Sequence, residues 1–232
     1  VVPPLTLVLL PGLDGTGLQF GPLIAALPDA LRPLVLPYPL DRALGYEALA
    51  AEVFDRLPRG ERFVLLGESF GGPLAMMVAA RRPQRLVGVV LCATFVTIPK
   101  PWAGPLLRPF VGTWPMRLYP AYRRVRSWAF RSTPPGSWAA TAESSERVAP
   151  TVLALRVRAV FSVDARAARA ACAVPILYLR AAHDRLVPPA CRRQIQQVRA
   201  DVEAVTIPSG HQLLQRRPTE CVAATERFAE RL

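Results

Sequence analysis

A serine flanked by glycines, a histidine and an aspartate are the residues whose types and spacing could do covalent chemistry here. Ser69 stands in Gly67-Glu68-Ser69-Phe70-Gly71, a G-x-S-x-G pattern. An apolar run precedes it and an Ala/Met-rich run follows, the context in which a strand-to-helix turn lifts a serine hydroxyl above a sheet edge. A hydroxyl is a weak nucleophile near neutral pH and needs a base. The chain offers two histidines, His183 and His211. His211 lies in Pro208-Ser209-Gly210-His211-Gln212, after the last predicted strand. It therefore sits at the same carboxyl edge as Ser69, where open α/β sheets carry their sites. His183 reads as an exposed loop side chain.

A base in turn needs an orienting carboxylate. Asp184 follows the predicted strand Ile176–Leu179, again at a carboxyl end. Other acids fit less well: Asp164 lies near the end of an insertion, Asp201 and Glu203 bracket the start of a strand, and the Glu68 side chain should point away from Ser69. The glycine-rich run Pro11-Gly12-Leu13-Asp14-Gly15-Thr16-Gly17 follows the first predicted strand. Its glycines permit an inward-turned backbone with exposed amides. An oxyanion hole would draw one donor from the amide of Phe70 and one from this run, Leu13 first and Asp14 second. Gly12 and Asp14 are also expected to border the substrate. A phosphate-binding loop is excluded, because neither G-x-G-x-x-G nor G-x-x-x-x-G-K-[ST] occurs.

The elements that must hold these residues alternate between strand and helix. Strands are predicted at Leu5–Leu10, Leu34–Leu36, Phe63–Leu66, Leu86–Cys92, Ile176–Leu179 and Val202–Ile207. Helices are predicted at Tyr46–Leu57, Pro73–Arg82, Asp164–Cys172, Pro189–Val198 and Leu213–Arg231. Such alternation implies right-handed crossovers and a mostly parallel, six-stranded α/β sheet with helices on both faces. Residues 97–163 break the pattern. They are too long for a loop and read as an inserted helical cap, with helical stretches near Trp102–Phe110, Tyr122–Phe130 and Ser144–Phe161. Residues 1–96 and 164–232 then form the core.

The 232 residues are 51% hydrophobic, enough for a substantial core, and no apolar run is long enough for a transmembrane helix. The formal charge is +12. Residues 97–163 hold ten basic and two acidic residues (Glu143 and Glu146), a concentration that could steer anionic partners. The four cysteines show no metal-ligand spacing and read as buried free thiols in a reducing compartment. With no basic, apolar leader at the start, a cytoplasmic location is expected. No metal and no cofactor are expected.

With the elbow at 67–71, the glycine loop at 11–17, the order Ser69, Asp184, His211 and the insertion in the usual place, the sequence resembles the α/β-hydrolase superfamily over nearly its whole length. Where many members carry His-Gly at the oxyanion loop, this chain has Pro11-Gly12. The resemblance implies hydrolysis of an ester, thioester or amide without a cofactor. A serine at the nucleophile position argues against the dehalogenases and epoxide hydrolases of that superfamily, which use aspartate.

Three functions follow. The favoured one is a serine esterase for small to medium acyl groups, acting through Ser69, His211 and Asp184 and an acyl-enzyme. All four tryptophans fall in the insertion. Trp102, Trp114 and Trp128 are expected to line an apolar acyl site there. The second is an esterase or thioesterase acting on acyl groups of an acidic carrier protein, met by Arg123, Arg124, Arg126 and Arg131. The third is a non-catalytic ligand-binding protein on a hydrolase fold. Nucleic acid is not expected as a partner, since no recognition motif accompanies the charge.

Overall fold

The computed structural model describes residues 4–99, 118, 143–144, 146–198 and 201–232. Six strands form one sheet: β1 (Leu5–Leu10), β2 (Leu31–Val35), β3 (Phe63–Glu68), β4 (Leu86–Cys92), β5 (Ile176–Ala181) and β6 (Glu203–Ile207). Their order is β2-β1-β3-β4-β5-β6, and every neighbouring pair is parallel. The predicted parallel α/β sheet is therefore present.

The helices among the described residues are α1 (Gly21–Ala25), α2 (Tyr46–Asp55), α3 (Gly71–Ala80), α4 (Pro150–Val160), α5 (Arg166–Ala171), α6 (Pro189–Val198), α7 (Leu213–Arg216) and α8 (Pro218–Ala229). A 3-10 turn over Leu18–Phe20 leads into α1.

Period-two alternation sorts the strand residues onto two faces. Val8 and Leu10 of β1, Leu65 of β3, Val89 and Leu91 of β4, and Tyr178 of β5 pack with Leu49 and Val53 of α2 and with Leu74 and Val78 of α3. Leu7, Leu9, Val64, Leu66, Val90 and Leu179 pack on the other face against Leu23, Leu213, Val222 and Phe228. Both faces are covered, so these strands are nearly continuous apolar runs, as buried parallel strands are. Each buried leucine or valine contributes about 1.5–3 kcal/mol relative to exposure.

Some elements differ from the prediction. β2 begins before Pro33 rather than after it: Pro33 pairs with Leu7 on an edge strand, where a missing N–H is tolerated. The C-terminal helix is two helices, because Arg217 leaves helical geometry (φ −135°, ψ 50°) and Pro218 opens a new one at its first position. α1 and the turn before it were not predicted, being too short for a periodic signal.

The chain leaves β1 toward β2 on one side and returns to β3 on the other. The sheet thus has its switch point between the carboxyl ends of β1 and β3, where ligand crevices form in open α/β sheets. Beyond β4, Thr97 and Asp164 form an isolated antiparallel bridge, and the Ala165 N–H donates to the Val96 carbonyl at 2.7 Å.

Candidate active site

Ser69 follows β3 directly and has φ 50°, in the left-handed region that non-glycine residues rarely adopt. The surrounding glycines make that turn possible. A Cβ on Gly67 would lie 2.4 Å from the Gly71 carbonyl oxygen, and one on Gly71 would lie 2.5 Å from that of Leu10. The turn is braced from outside. The Thr94 hydroxyl donates to the Ser69 carbonyl, and the Ser69 N–H donates to the Cys92 carbonyl at 2.9 Å. The Tyr46 hydroxyl donates to the Phe70 carbonyl at 3.2 Å, and the two rings stack at 4.4 Å. Burial raises the Tyr46 and Tyr38 phenols well above the usual range, so both remain protonated donors.

Ser69 Oγ lies 2.9 Å from His211 Nε2. His211 Nδ1 lies 2.8 Å from Asp184 Oδ2. The other Asp184 oxygen accepts the N–H groups of Leu186 at 2.8 Å and Val187 at 3.0 Å, which locks the carboxylate plane. The Asp184 side chain is buried, at 4% exposure, while His211 keeps 23%. The loops after β5 and β6 are themselves latched: the N–H groups of Ala182 and His183 donate to the carbonyls of Ile207 and Ser209, each at 2.9 Å. Three residues from three strand ends are thus brought into one hydrogen-bonded chain.

The rival groups lie elsewhere. The His183 side chain is exposed. Glu68 accepts from Gln215 Nε2 at 2.9 Å, behind the elbow. Asp164 pairs with Arg166, whose hydrogen bonds pull its carboxyl below the ordinary range. Asp201 lies 3.8 Å from Arg169, and Glu203 pairs with Arg231.

The loop after β1 passes over the elbow: a Cβ on Gly12 would lie 3.9 Å from Ser69 Cβ. Its turn is closed by the Gly15 N–H on the Gly12 carbonyl at 3.1 Å. The Asp14 carboxylate accepts from Thr16, through both N–H and hydroxyl, and from Gln19 Nε2. It is engaged inside its own loop, so what Asp14 can offer the site is its amide. Trp102, Trp114 and Trp128 lie outside the described residues.

Sequence reasoning missed the buried polar groups around this frame: Tyr38, Tyr46, Thr94, Gln215 and Arg156. Arg156 carried a faint signal. It sits at helical spacing from the buried Val152 and Leu153, on a face that should have been wholly apolar.

Among the described residues no group of three or more His, Cys, Asp or Glu could hold a metal ion, and no helix is long and apolar enough to cross a membrane. The four cysteines are free thiols and buried.

The profile of the "Alpha/beta hydrolase family" matches residues 7–224. The chain belongs to the alpha/beta hydrolase family. The fold is similar to that of the enol-lactonase of Burkholderia xenovorans, at 22% identity and TM-score 0.82, over 98% of this chain and 92% of that one. It is also similar to a thermophilic esterase of Thermogutta terrifontis, at 22% identity and TM-score 0.77, over 98% and 90%. An esterase of Exiguobacterium antarcticum aligns at 14% identity and TM-score 0.79, over 97% and 92%. At these identities the likeness is one of fold. Among curated proteins no sequence matches.

Proposed function

We propose that the protein is a serine hydrolase that cleaves carboxylic esters of small to medium acyl groups. The observation that carries this reading is the hydrogen-bonded chain from Ser69 Oγ through His211 to Asp184, at 2.9 and 2.8 Å. In this reading His211 Nε2 takes the Ser69 proton as Oγ attacks the ester carbonyl. Asp184 holds the imidazole in the tautomer with its proton on Nδ1 and stabilises the imidazolium. His211 then protonates the leaving alcohol. It next removes a proton from the water that attacks the acyl-enzyme.

The oxyanion forms between the amide of Phe70 and one from the loop after β1, Leu13 or Asp14. Phe70 immediately precedes α3, where first-turn N–H groups have no intrahelical acceptor and the helix dipole favours negative charge. The Gly12–Ser69 approach supports the loop's part. Residues 97–163 act as a cap over this edge, and the Thr97–Asp164 bridge at its base supports those boundaries.

The test is hydrolysis of p-nitrophenyl esters over a range of acyl lengths, by the wild type and by Ser69→Ala. Turnover that peaks at short or medium acyl chains and vanishes in Ser69→Ala is expected. Turnover that survives the substitution would overturn the assignment, and so would ligand binding without turnover at every length.

A further inference from the structure

The loop that borders the proposed oxyanion hole rests on a buried cation. Arg156, on α4, is 1% exposed. Its Nη1 donates to the carbonyls of Leu13 at 3.1 Å and Asp14 at 2.7 Å, and its Nη2 donates to that of Pro39 at 2.8 Å. Its Cζ lies 5.4 Å from the centroid of the Tyr38 ring, whose hydroxyl donates to the Pro11 carbonyl at 2.9 Å. Gly15 makes room for the guanidinium: a Cβ there would lie 2.5 Å from Nη1 and 2.9 Å from Cζ. Gly15 also has φ 70°, so side chains are doubly disfavoured at this position.

Burying a guanidinium is costly, and an apolar side chain of similar volume would hold α4 to the core without that cost. What an apolar side chain cannot do is fix carbonyls. The peptide unit is planar, so a held C=O also aims the N–H across the same bond. The Leu13 carbonyl, held by Arg156, aims the Asp14 amide. The Gly12 carbonyl, held by the Gly15 N–H, aims the Leu13 amide. The guanidinium packs directly on that turn. Both candidate loop donors are therefore set by Arg156, one through its own bond and one through the turn beneath it. A cation bonded to these carbonyls also polarises the peptide units that carry the amides.

We propose that Arg156 is a positioning residue for the reaction: its guanidinium holds the loop after β1 in the shape that presents an amide to the oxyanion. The role rests on the serine-hydrolase reading. It makes α4, more than a hundred residues away in the chain, a part of the oxyanion hole's support.

The test uses an alkyl fluorophosphonate, from which the Ser69 oxygen displaces fluoride, leaving a tetrahedral phosphonyl adduct whose P–O oxygen occupies the oxyanion position. Labelling is followed by intact mass over a range of probe concentrations, giving kinact and KI separately. Displacing a donor by about an ångström costs on the order of 10²-fold in rate. Arg156→Gln is expected to lower kinact by about that factor with KI nearly unchanged, and Arg156→Lys is expected to fall between it and the wild type. Guanidinium ion, added to Arg156→Ala far below denaturing concentrations, is expected to restore much of the lost rate. A merely structural arginine leaves kinact unchanged in the folded variants, so that guanidinium has no rate to restore and shifts only the melting temperature.

A wild type that is not labelled, or a Ser69→Ala that is, overturns the serine-hydrolase reading and the role of Arg156 with it. A labelled wild type matched by equally fast Arg156→Gln and Arg156→Lys overturns Arg156 alone. So does a folded Arg156→Ala whose kinact equals that of the wild type and does not respond to guanidinium. If Arg156→Gln and Arg156→Ala do not fold, Arg156→Lys decides: a lower kinact at unchanged KI supports the role, and an unchanged kinact overturns it.

Discussion

The two oxygens of Asp184 have different duties, and that difference makes a sharp expectation. One accepts two backbone N–H groups, from Leu186 and Val187, and the other faces His211 Nδ1. In Asp184→Asn the side-chain carbonyl must take the first place, since an NH2 group cannot accept those bonds. The NH2 group then points at His211 Nδ1 and forces the imidazole proton onto Nε2, where it cannot accept from Ser69. The expected result is a fall in kcat of about 10⁴-fold with an unchanged melting temperature, measured on the best p-nitrophenyl ester. A loss under tenfold would sink the role given to Asp184. At this scale Ser69, Asp184 and His211 were legible because each is marked by its neighbours in the chain: an elbow pattern, and loops just beyond predicted strands. Arg156 was not, because its partners Leu13 and Asp14 lie 143 and 142 positions away, and nothing local marks a bond of that kind. The Thr94–Ser69 and Tyr46–Phe70 bonds were hidden for the same reason.

The elements place these residues through close main-chain approaches. Where the end of β1 crosses the start of α3, a Cβ on Gly71 would meet two backbone carbonyls, those of Leu10 at 2.5 Å and Pro11 at 2.8 Å. Backbone cannot swing aside as a side chain can. Gly71→Ala is therefore expected to cost about 1–3 kcal/mol in urea unfolding and to abolish esterase turnover, because the loop after β1 is pushed off the elbow. Gly21→Ala is the control. It has helical angles (φ −45°, ψ −53°) and open space around its Cβ, and should stabilise by about 0.4–1 kcal/mol. Equal effects of the two would refute the crossing as the cause. Elements bounded by prolines or by abrupt changes in polarity were legible to the residue, as at Leu86–Cys92 and Pro189–Val198. Ends set by tertiary contact were not. β3 runs on through Gly67 and Glu68, and β5 through Arg180 and Ala181, because a neighbouring strand continues to offer partners.

At the scale of the whole molecule, the sheet buries titratable groups that stay neutral only while it is folded. Burial is the largest cause in each case. It raises the thiol of Cys191 to about 11, with Asp184 adding to it, and that of Cys221 to about 12, with Glu220 and Glu68 adding to it. Cys92 and the phenols of Tyr38 and Tyr46 are also raised well above their usual ranges. In the unfolded chain thiols ionise near pH 8.5 and phenols near pH 10 (about the values of free side chains). These groups favour the native state fully below the unfolded values. Their contribution is lost as pH climbs from there toward the native values of 11 and 12. The chain has a single lysine, Lys100, so little else titrates in that window. The urea midpoint is expected to hold steady to about pH 8 and to fall progressively by about pH 10. A midpoint that stays level would mean that the thiols and phenols are open to water.

The architecture was legible from strand–helix alternation, while the charge of residues 97–163 announced neither the buried place of Arg156 nor the Arg147–Glu143 pair. The Thr97–Asp164 bridge gives that same stretch an evolutionary meaning. The chain departs from the core and re-enters it at one address. Between β4 and α4 the chain leaves the core and returns to it, and doubling a connection between two fixed points costs only about 0.6 kcal/mol in closure entropy. Length and composition between β4 and α4 are therefore freer to drift than α4 itself, whose Arg156 holds the loop after β1, or the pair Thr97 and Asp164. In the proposed reading, selection retunes what is accepted there without renegotiating how Ser69 reacts.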